Sequence, residues 1–148
     1  MKVLGVVPST TAIHICTVSD DGDGETATAM KKIPLPKNDD ESARLYALSK
    51  LANTLLVESS ADGLAILQAG RSQHGQTSPL RLKIECIFQL AAIGRSLPVA
   101  LVPPQSARAF EKKHDVLTLT RGQDFSPVPC KDAALVAWYA HTSSDAQK

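Results

Sequence analysis

The sequence predicts a single α/β domain, a mixed sheet of about five strands with helices packed on both faces, in the order β-β-β-α-β-α-β-α-α. Three observations lead there. The first part of the chain is a series of short apolar and β-branched runs separated by turn residues, which is the pattern of an antiparallel meander. Two later runs, around Leu64 and Val99, are continuously apolar, as strands buried on both faces of a sheet are. Between and after these runs lie helix-length stretches whose apolar residues recur at three and four.

Residues 2–7 form the first apolar run, ended by Pro8-Ser9-Thr10-Thr11, and residues 12–18, with Ile13, Ile15 and Val18, form the second. A dense turn, residues 19–24, leads to a third strand over 25–33 that closes at Pro34-Leu35-Pro36. Asn38 stands three residues before Glu41, a capping-box spacing, and Leu45, Leu48, Leu51, Ala52, Leu55 and Leu56 then mark an amphipathic helix over about 40–58. Residues 63–67 are a buried strand expected to pair parallel to the first. Thr77 or Ser78 as N-cap, with Pro79 at the first helical position, starts a helix that runs to about Arg95. A strand over 98–102, a short basic helix over 106–114, a looser segment over 115–129 and a last helix from Lys131 to about His141 complete the order, with 124–130 expected to be the most flexible connection and 143–148 a flexible tail.

Composition excludes several classes. With 148 residues, 43% hydrophobic and 21% charged, the chain suits one compact domain and leaves no room for a second. No stretch approaches the roughly 20 apolar residues of a membrane span, and MKVLGVVP lacks the longer apolar region of a signal peptide, so a cytoplasmic protein without membrane contact is expected. Cys16, Cys86 and Cys130 are odd in number and without CxxC spacing, which points to buried thiols rather than a disulfide framework or a zinc site. Aromatic residues are only 4%, fewer than a base-stacking platform usually carries. Charge is uneven: residues 1–68 carry net −3, 69–123 net +5 and 124–148 net −1.

Leu4-Gly5-Val6-Val7-Pro8-Ser9-Thr10 resembles the first strand and turn of RuvC-type Holliday-junction nucleases, in which an apolar residue, Gly, an apolar residue, Asp, Pro, Gly and a small polar residue follow one another. Leu64-Ala65-Ile66-Leu67-Gln68 is similar to that family's fourth strand, and Lys131-Asp132-Ala133-Ala134-Leu135-Val136-Ala137 to its C-terminal helix. The helix around residues 83–91 and the strand around 97–100 fall where that family places theirs. The resemblance covers most of the chain and implies an RNase H-like, RuvC-like fold.

It also implies where a nuclease site would lie. RuvC-type nucleases hold two divalent metals with clustered carboxylates, which align a water and stabilise the leaving oxygen. The first-strand Asp corresponds to Val7, the fourth-strand Glu to Leu67, and of the paired Asp residues at the final helix one corresponds to Pro129 and the other to Asp132. Three of four expected carboxylates are thus absent. Val and Leu cannot ligate a hard cation, so the resemblance implies a retained fold with a degenerate active site, neither catalytic residues nor a metal cofactor being expected. Magnesium or manganese enters only if carboxylates have been relocated, for which Glu85, Asp62 and Glu41 are the candidates beside Asp132.

Other chemistries find little support. The Asp20–Glu25 acidic turn lacks the twelve-residue calcium-loop spacing, the four histidines show no metal spacing, and no glycine-rich phosphate loop is present. The loop over 70–78 brings small residues and donors to a helix N-terminus, where anions are favoured. Arg71 and His74 in that loop, with Arg81, Arg108, Lys112 and Lys113, are therefore the candidate nucleic-acid-binding residues, reading backbone rather than sequence. The helix over 79–95 carries two apolar stripes, one with Leu80, Ile84, Ile87, Phe88 and Ala91, the other with Leu82, Cys86, Leu90 and Ile93. One stripe suits the sheet; the other suits a second copy across a two-fold axis or, within the monomer, the C-terminal helix. The expected function is a non-catalytic module that binds structured DNA or RNA or serves a larger nucleic-acid-processing or defence assembly. The alternatives are a metal-dependent endonuclease and a protein-interaction subunit without nucleic-acid contact.

Overall fold

The computed structural model describes residues 1–20, 22–69 and 78–146, with side chains through 143. Its five strands are β1 (Lys2–Pro8), β2 (Ala12–Asp20), β3 (Glu25–Pro34), β4 (Gly63–Leu67) and β5 (Val99–Val102). They lie in the order β3-β2-β1-β4-β5, with β1–β2 and β2–β3 antiparallel and β1–β4 and β4–β5 parallel. The tight turns predicted after Pro8 and Asp20 produce the meander; the two crossovers, each through a helix, produce the parallel half. A register shift opposite Cys16, with Ala29 at φ 55°, marks a bulge that bends the edge strand β3.

The helices are α1 (Glu41–Ser59), α2 (Pro79–Gly94), α3 (Pro104–Lys113) and α4 (Cys130–Ala146), with a 3-10 helix at Val116–Thr120. Strand alternation sorts the core into two layers. Leu4, Val6, Ile13, Ile15, Leu64 and Ile66 face α1 and α2, meeting Leu48, Ala52, Ile84 and Phe88. Val3, Cys16, Val18, Ala65 and Leu67 face α4, meeting Ala133 to Ala137. Gly5 lies on the second face, where a Cβ would overlap the carbonyl oxygen of Ala133. The glycine in the first-strand pattern therefore has a packing reason: it lets the α4 backbone rest on β1.

Several sequence expectations are corrected. The N-cap of α1 is Asp40, whose carboxylate accepts from the Ala43 N–H, while Asn38 caps the preceding turn by accepting from the Asp40 N–H at 2.8 Å. The segment over 115–129 is anchored rather than loose: Val116, Leu119 and Phe125 are buried in the α4-side core. The last helix runs to Ala146, past the predicted end near His141, and takes in the start of the expected tail. Cys16 and Cys130 are buried as expected, but Cys86 is exposed on α2. Because α4 covers the opposite face of the sheet, it does not reach the second stripe of α2; Leu82, Leu90 and Ile93 are 47%, 73% and 67% exposed. No helix among the described residues is long and apolar enough to cross a membrane.

Candidate nucleic-acid interface

The parallel register of β1 and β4 sets Val6 opposite Ile66, so Val7 and Leu67 follow side by side at the C-terminal ends of the two strands. Both side chains turn toward α4, Leu67 buried and Val7 half-buried, and both pack into the core beneath that helix. Asp132 lies in the first turn of α4, next to the Ala133 carbonyl that rests on Gly5, and so reaches the same end of the sheet. A carboxylate there is favoured by the helix N-terminus. Pro129, three residues earlier, is exposed ahead of the helix.

Asp132 is already occupied. Its Oδ1 accepts from Arg108 Nη2 at 3.0 Å, while Arg108 Nη1 donates to Glu111 Oε1 at 2.9 Å. Glu111 in turn pairs with Lys131 at 3.1 Å. Two cations and two carboxylates thus tie α3 to the start of α4 with no net charge. The hydrogen bond to Glu111 is the largest effect on the Arg108 guanidinium; burial, the next, opposes it, and the pairing with Asp132 helps to push the guanidinium up overall. Burial acts to raise the Glu111 carboxyl, but hydrogen bonds from Lys131 and Arg108 outweigh it and hold Glu111 below the ordinary carboxylate range.

Arg81 is turned inward. Its Nη2 donates to the carbonyls of Leu67 and Gln68 at 3.2 and 3.4 Å, so a guanidinium caps the C-terminal end of β4. Burial lowers the Arg81 pKa, with Glu85, one turn further along α2, acting against it. Glu85 is 5% exposed and accepts from the Ala69 N–H; burial raises its pKa, opposed by that hydrogen bond and by Arg81.

The candidate replacement carboxylates are not gathered around Asp132. Asp62 accepts from the Lys2 N–H at the other end of β4, and Glu41 pairs with Lys83 across the exposed α1–α2 surface at 2.7 Å. Glu85 alone approaches the strand ends. Among the described residues no three His, Cys, Asp or Glu side chains are grouped to hold a metal ion, so this side-chain set does not fit a two-metal nuclease centre.

Of the six predicted nucleic-acid-binding residues, Arg71 and His74 lie outside the described residues. Arg81 and Arg108 are engaged as above. Lys112 and Lys113, in the last turn of α3, are exposed and make no ion pair among the described residues. Beside them is a feature that the sequence alone does not show. Phe110 and His114 stack at 3.9 Å between ring centroids, and Trp138 and Tyr139 of α4 meet Phe110 edge-on at 5.4 and 5.6 Å. The i,i+4 spacing of Phe110 and His114 was available in the sequence; their meeting with α4 was not.

No protein-family model and no curated protein matches the sequence. Solved structures do. Thermus thermophilus RuvC superposes with a TM-score of 0.77 at 16% identity, covering 97% of each chain. The yeast mitochondrial Holliday junction resolvase gives 0.64 at 16% identity, over 91% of this chain and 75% of that one. The fowlpox virus Holliday junction resolvase gives 0.59 at 13% identity, over 97% and 99%. The chain has the RuvC-like form of the RNase H-like fold, as its sequence motifs implied.

Proposed function

We propose that this chain is a non-catalytic RuvC-like module, a pseudonuclease that binds structured DNA or RNA through the sugar–phosphate backbone, alone or as a subunit of a nucleic-acid-processing or defence assembly. The observation that carries this reading is the Arg108–Asp132 ion pair beside two apolar strand ends. Where the resemblance implies four metal-holding carboxylates, Val7 and Leu67 pack the core, Pro129 offers no ligand, and the one remaining carboxylate is bonded to a guanidinium. Lys112 and Lys113, exposed in the last turn of α3, supply cations for phosphate contact; Arg81 and Arg108 would join them only by exchanging the protein contacts described above, and Arg71 and His74 are further candidates from the sequence. The solved T. thermophilus RuvC complex with a Holliday junction substrate, at a TM-score of 0.73 and 17% identity, supports nucleic acid as the ligand class to test. No metal cofactor is required by this reading, and the cytoplasm remains the proposed location.

The same reading makes the chain a homodimer through α2. Leu82, Leu90 and Ile93 form an exposed stripe along one face, in line with Cys86, and a two-fold axis would set that stripe against itself. Light scattering well above micromolar concentration is expected to return twice the 15.8 kDa chain mass; a monomer there would refute the dimer.

Function is tested by titrating salt against binding to fluorescent single-stranded, duplex and four-way-junction DNA and RNA. Affinity should fall steeply as salt rises, as backbone recognition requires. Absence of binding to duplexes and junctions near physiological salt would overturn the proposal, and absence of binding to any of these would favour a protein partner. The endonuclease reading draws on Glu85, buried at the strand ends near Leu67; metal-dependent cut products would establish it.

A further inference from the structure

Of three Phe, two Tyr and one Trp in the chain, Phe110, Tyr139 and Trp138 gather with His114 between α3 and α4. Trp138 is six residues beyond Asp132, about 9 Å along the helix axis, so the cluster is displaced from the strand-end site. Phe110, His114 and Tyr139 wall a depression of about 280 Å³, with Ser106 and Lys113 at its margin. None of these aromatic rings is fully buried. A hydrogen bond between His114 Nδ1 and the Phe110 carbonyl, 3.0 Å long, fixes the imidazole against the phenyl ring. Tyr139 also walls a second depression of about 270 Å³ beside β5 and Met1, so the concave surface continues past it.

We infer that this α3–α4 depression is a subsite for an unpaired nucleobase of single-stranded nucleic acid, with Lys113 and the adjacent Lys112 placed for the phosphates that flank it. The inference rests on the nucleic-acid reading above and names the part of the ligand this surface takes. The chemistry converges from independent features. Partly exposed rings, with Phe110 and His114 stacked on each other and Trp138 and Tyr139 edge-on, offer π surface on which any base can stack. The Ser106 and Tyr139 hydroxyls at the margin can exchange hydrogen bonds with a base edge. Two adjacent lysines without ion-pair partners among the described residues supply positive charge, whereas Arg108 and Lys131 nearby are neutralised by Glu111 and Asp132. A duplex, whose bases are stacked on each other, cannot fill such a slot; a strand end, a loop or the unpaired centre of a branched structure can.

The chain's single Trp, Trp138, does not line the depression but meets two of its walls edge-on, Phe110 at 5.4 Å and His114 at 5.3 Å between ring centroids, so its fluorescence responds to a base stacked there. Trp138 fluorescence is titrated with an eight-nucleotide oligothymidylate and, separately, with an abasic strand of the same length. Saturable quenching by the first, at concentrations at least tenfold below any response to the second, is expected from base stacking. His114→Ala should weaken the thymidylate response on the order of tenfold. Lys113→Ala, a surface change that leaves the rings in place, should weaken it about threefold and flatten its salt dependence by about one phosphate contact. No quenching, equal responses to both strands, or indifference to both substitutions would overturn the inference. Failure of the parent reading looks different: if four-way junctions and duplexes do not bind while thymidylate still quenches Trp138, the pseudonuclease proposal falls and the base subsite stands.

Discussion

Arg108 Nη2 lies 3.0 Å from Asp132 Oδ1, so the acidic side chain at the start of α4 is spent on a contact between helices. Both partners are partly exposed, at 50% and 31%, and Glu111 holds the other guanidinium nitrogen. An ion pair of this kind stabilises only weakly. Asp132→Asn is therefore expected to change unfolding free energy by less than about 1 kcal/mol. It should leave junction affinity equal or a few-fold higher, since it removes a negative charge and loosens Arg108 toward phosphate. Chemical denaturation and fluorescence anisotropy check the two halves; a large loss of binding would show that Asp132 itself contacts the ligand.

Gly5 carries the approach of α4 to β1. Gly5→Ala would drive a methyl group into the Ala133 carbonyl, and the backbone on both sides must move. The expected loss is about 3 kcal/mol in urea unfolding. A loss under about 1 kcal/mol would mean that α4 sits further from the sheet than the structure gives.

Burial raises the Glu85 carboxyl despite the Ala69 N–H and Arg81, which fixes the sign of a pH effect. When an acid has a higher pKa folded than unfolded, the unfolded chain loses its proton first as pH rises. Stability therefore falls above the unfolded carboxyl value, near about 4.3, and levels off beyond the folded one. Glu85→Gln keeps an acceptor for Ala69 and removes the ionisation. The variant should be more stable than the parent at neutral pH and should lose that advantage below about pH 4. Thermal melts across pH 3–8 would show it, and equal melting differences at every pH would contradict it.

Glu111 has the opposite sign. Burial opposes but does not overcome the hydrogen bonds from Lys131 and Arg108, which hold its pKa down, so the folded state keeps this carboxylate charged longer than the unfolded chain does. Its contribution is present above the ordinary carboxylate range and is lost as pH falls through the depressed folded value. Glu111→Gln should consequently narrow the stability difference between neutral and acid pH. An unchanged pH profile in that variant would remove the α3–α4 ion cluster from the account.

Leu90, 73% exposed at the centre of the open α2 stripe, separates assembly from folding. Leu90→Glu is expected to change monomer stability by about 0.5 kcal/mol or less and to halve the mass seen by light scattering. A dimer that survives the substitution would have to use another face.

Much of this architecture was legible in the sequence because it rests on local patterns. Alternation and turn residues gave the meander, the apolar runs at residues 63–67 and 99–102 gave the parallel half, and Ser78-Pro79 gave the start of α2. The second apolar stripe on α2 followed from its periodicity, but its exposure did not, because only the structure shows α4 on the opposite face of the sheet. The site was less legible because its decisive contacts join distant residues. Nothing near Arg108 announces Asp132, and nothing near Arg81 announces the β4 carbonyls. Arginines that read as a basic surface are largely engaged by the protein itself. Low aromatic content argued against base stacking, yet three of the few aromatic residues converge on one surface. The capping of α1 slipped by two residues because Asn38 and Asp40 both cap, one the turn and one the helix.

The most direct test of the central claim is one incubation of the protein with a labelled four-way DNA junction, with and without magnesium or manganese, read by anisotropy and then by denaturing gel. A pseudonuclease gives salt-sensitive binding that does not depend on the metal, and leaves the junction intact. Metal-dependent cut strands that disappear in Asp132→Ala would contradict it and make the chain a nuclease.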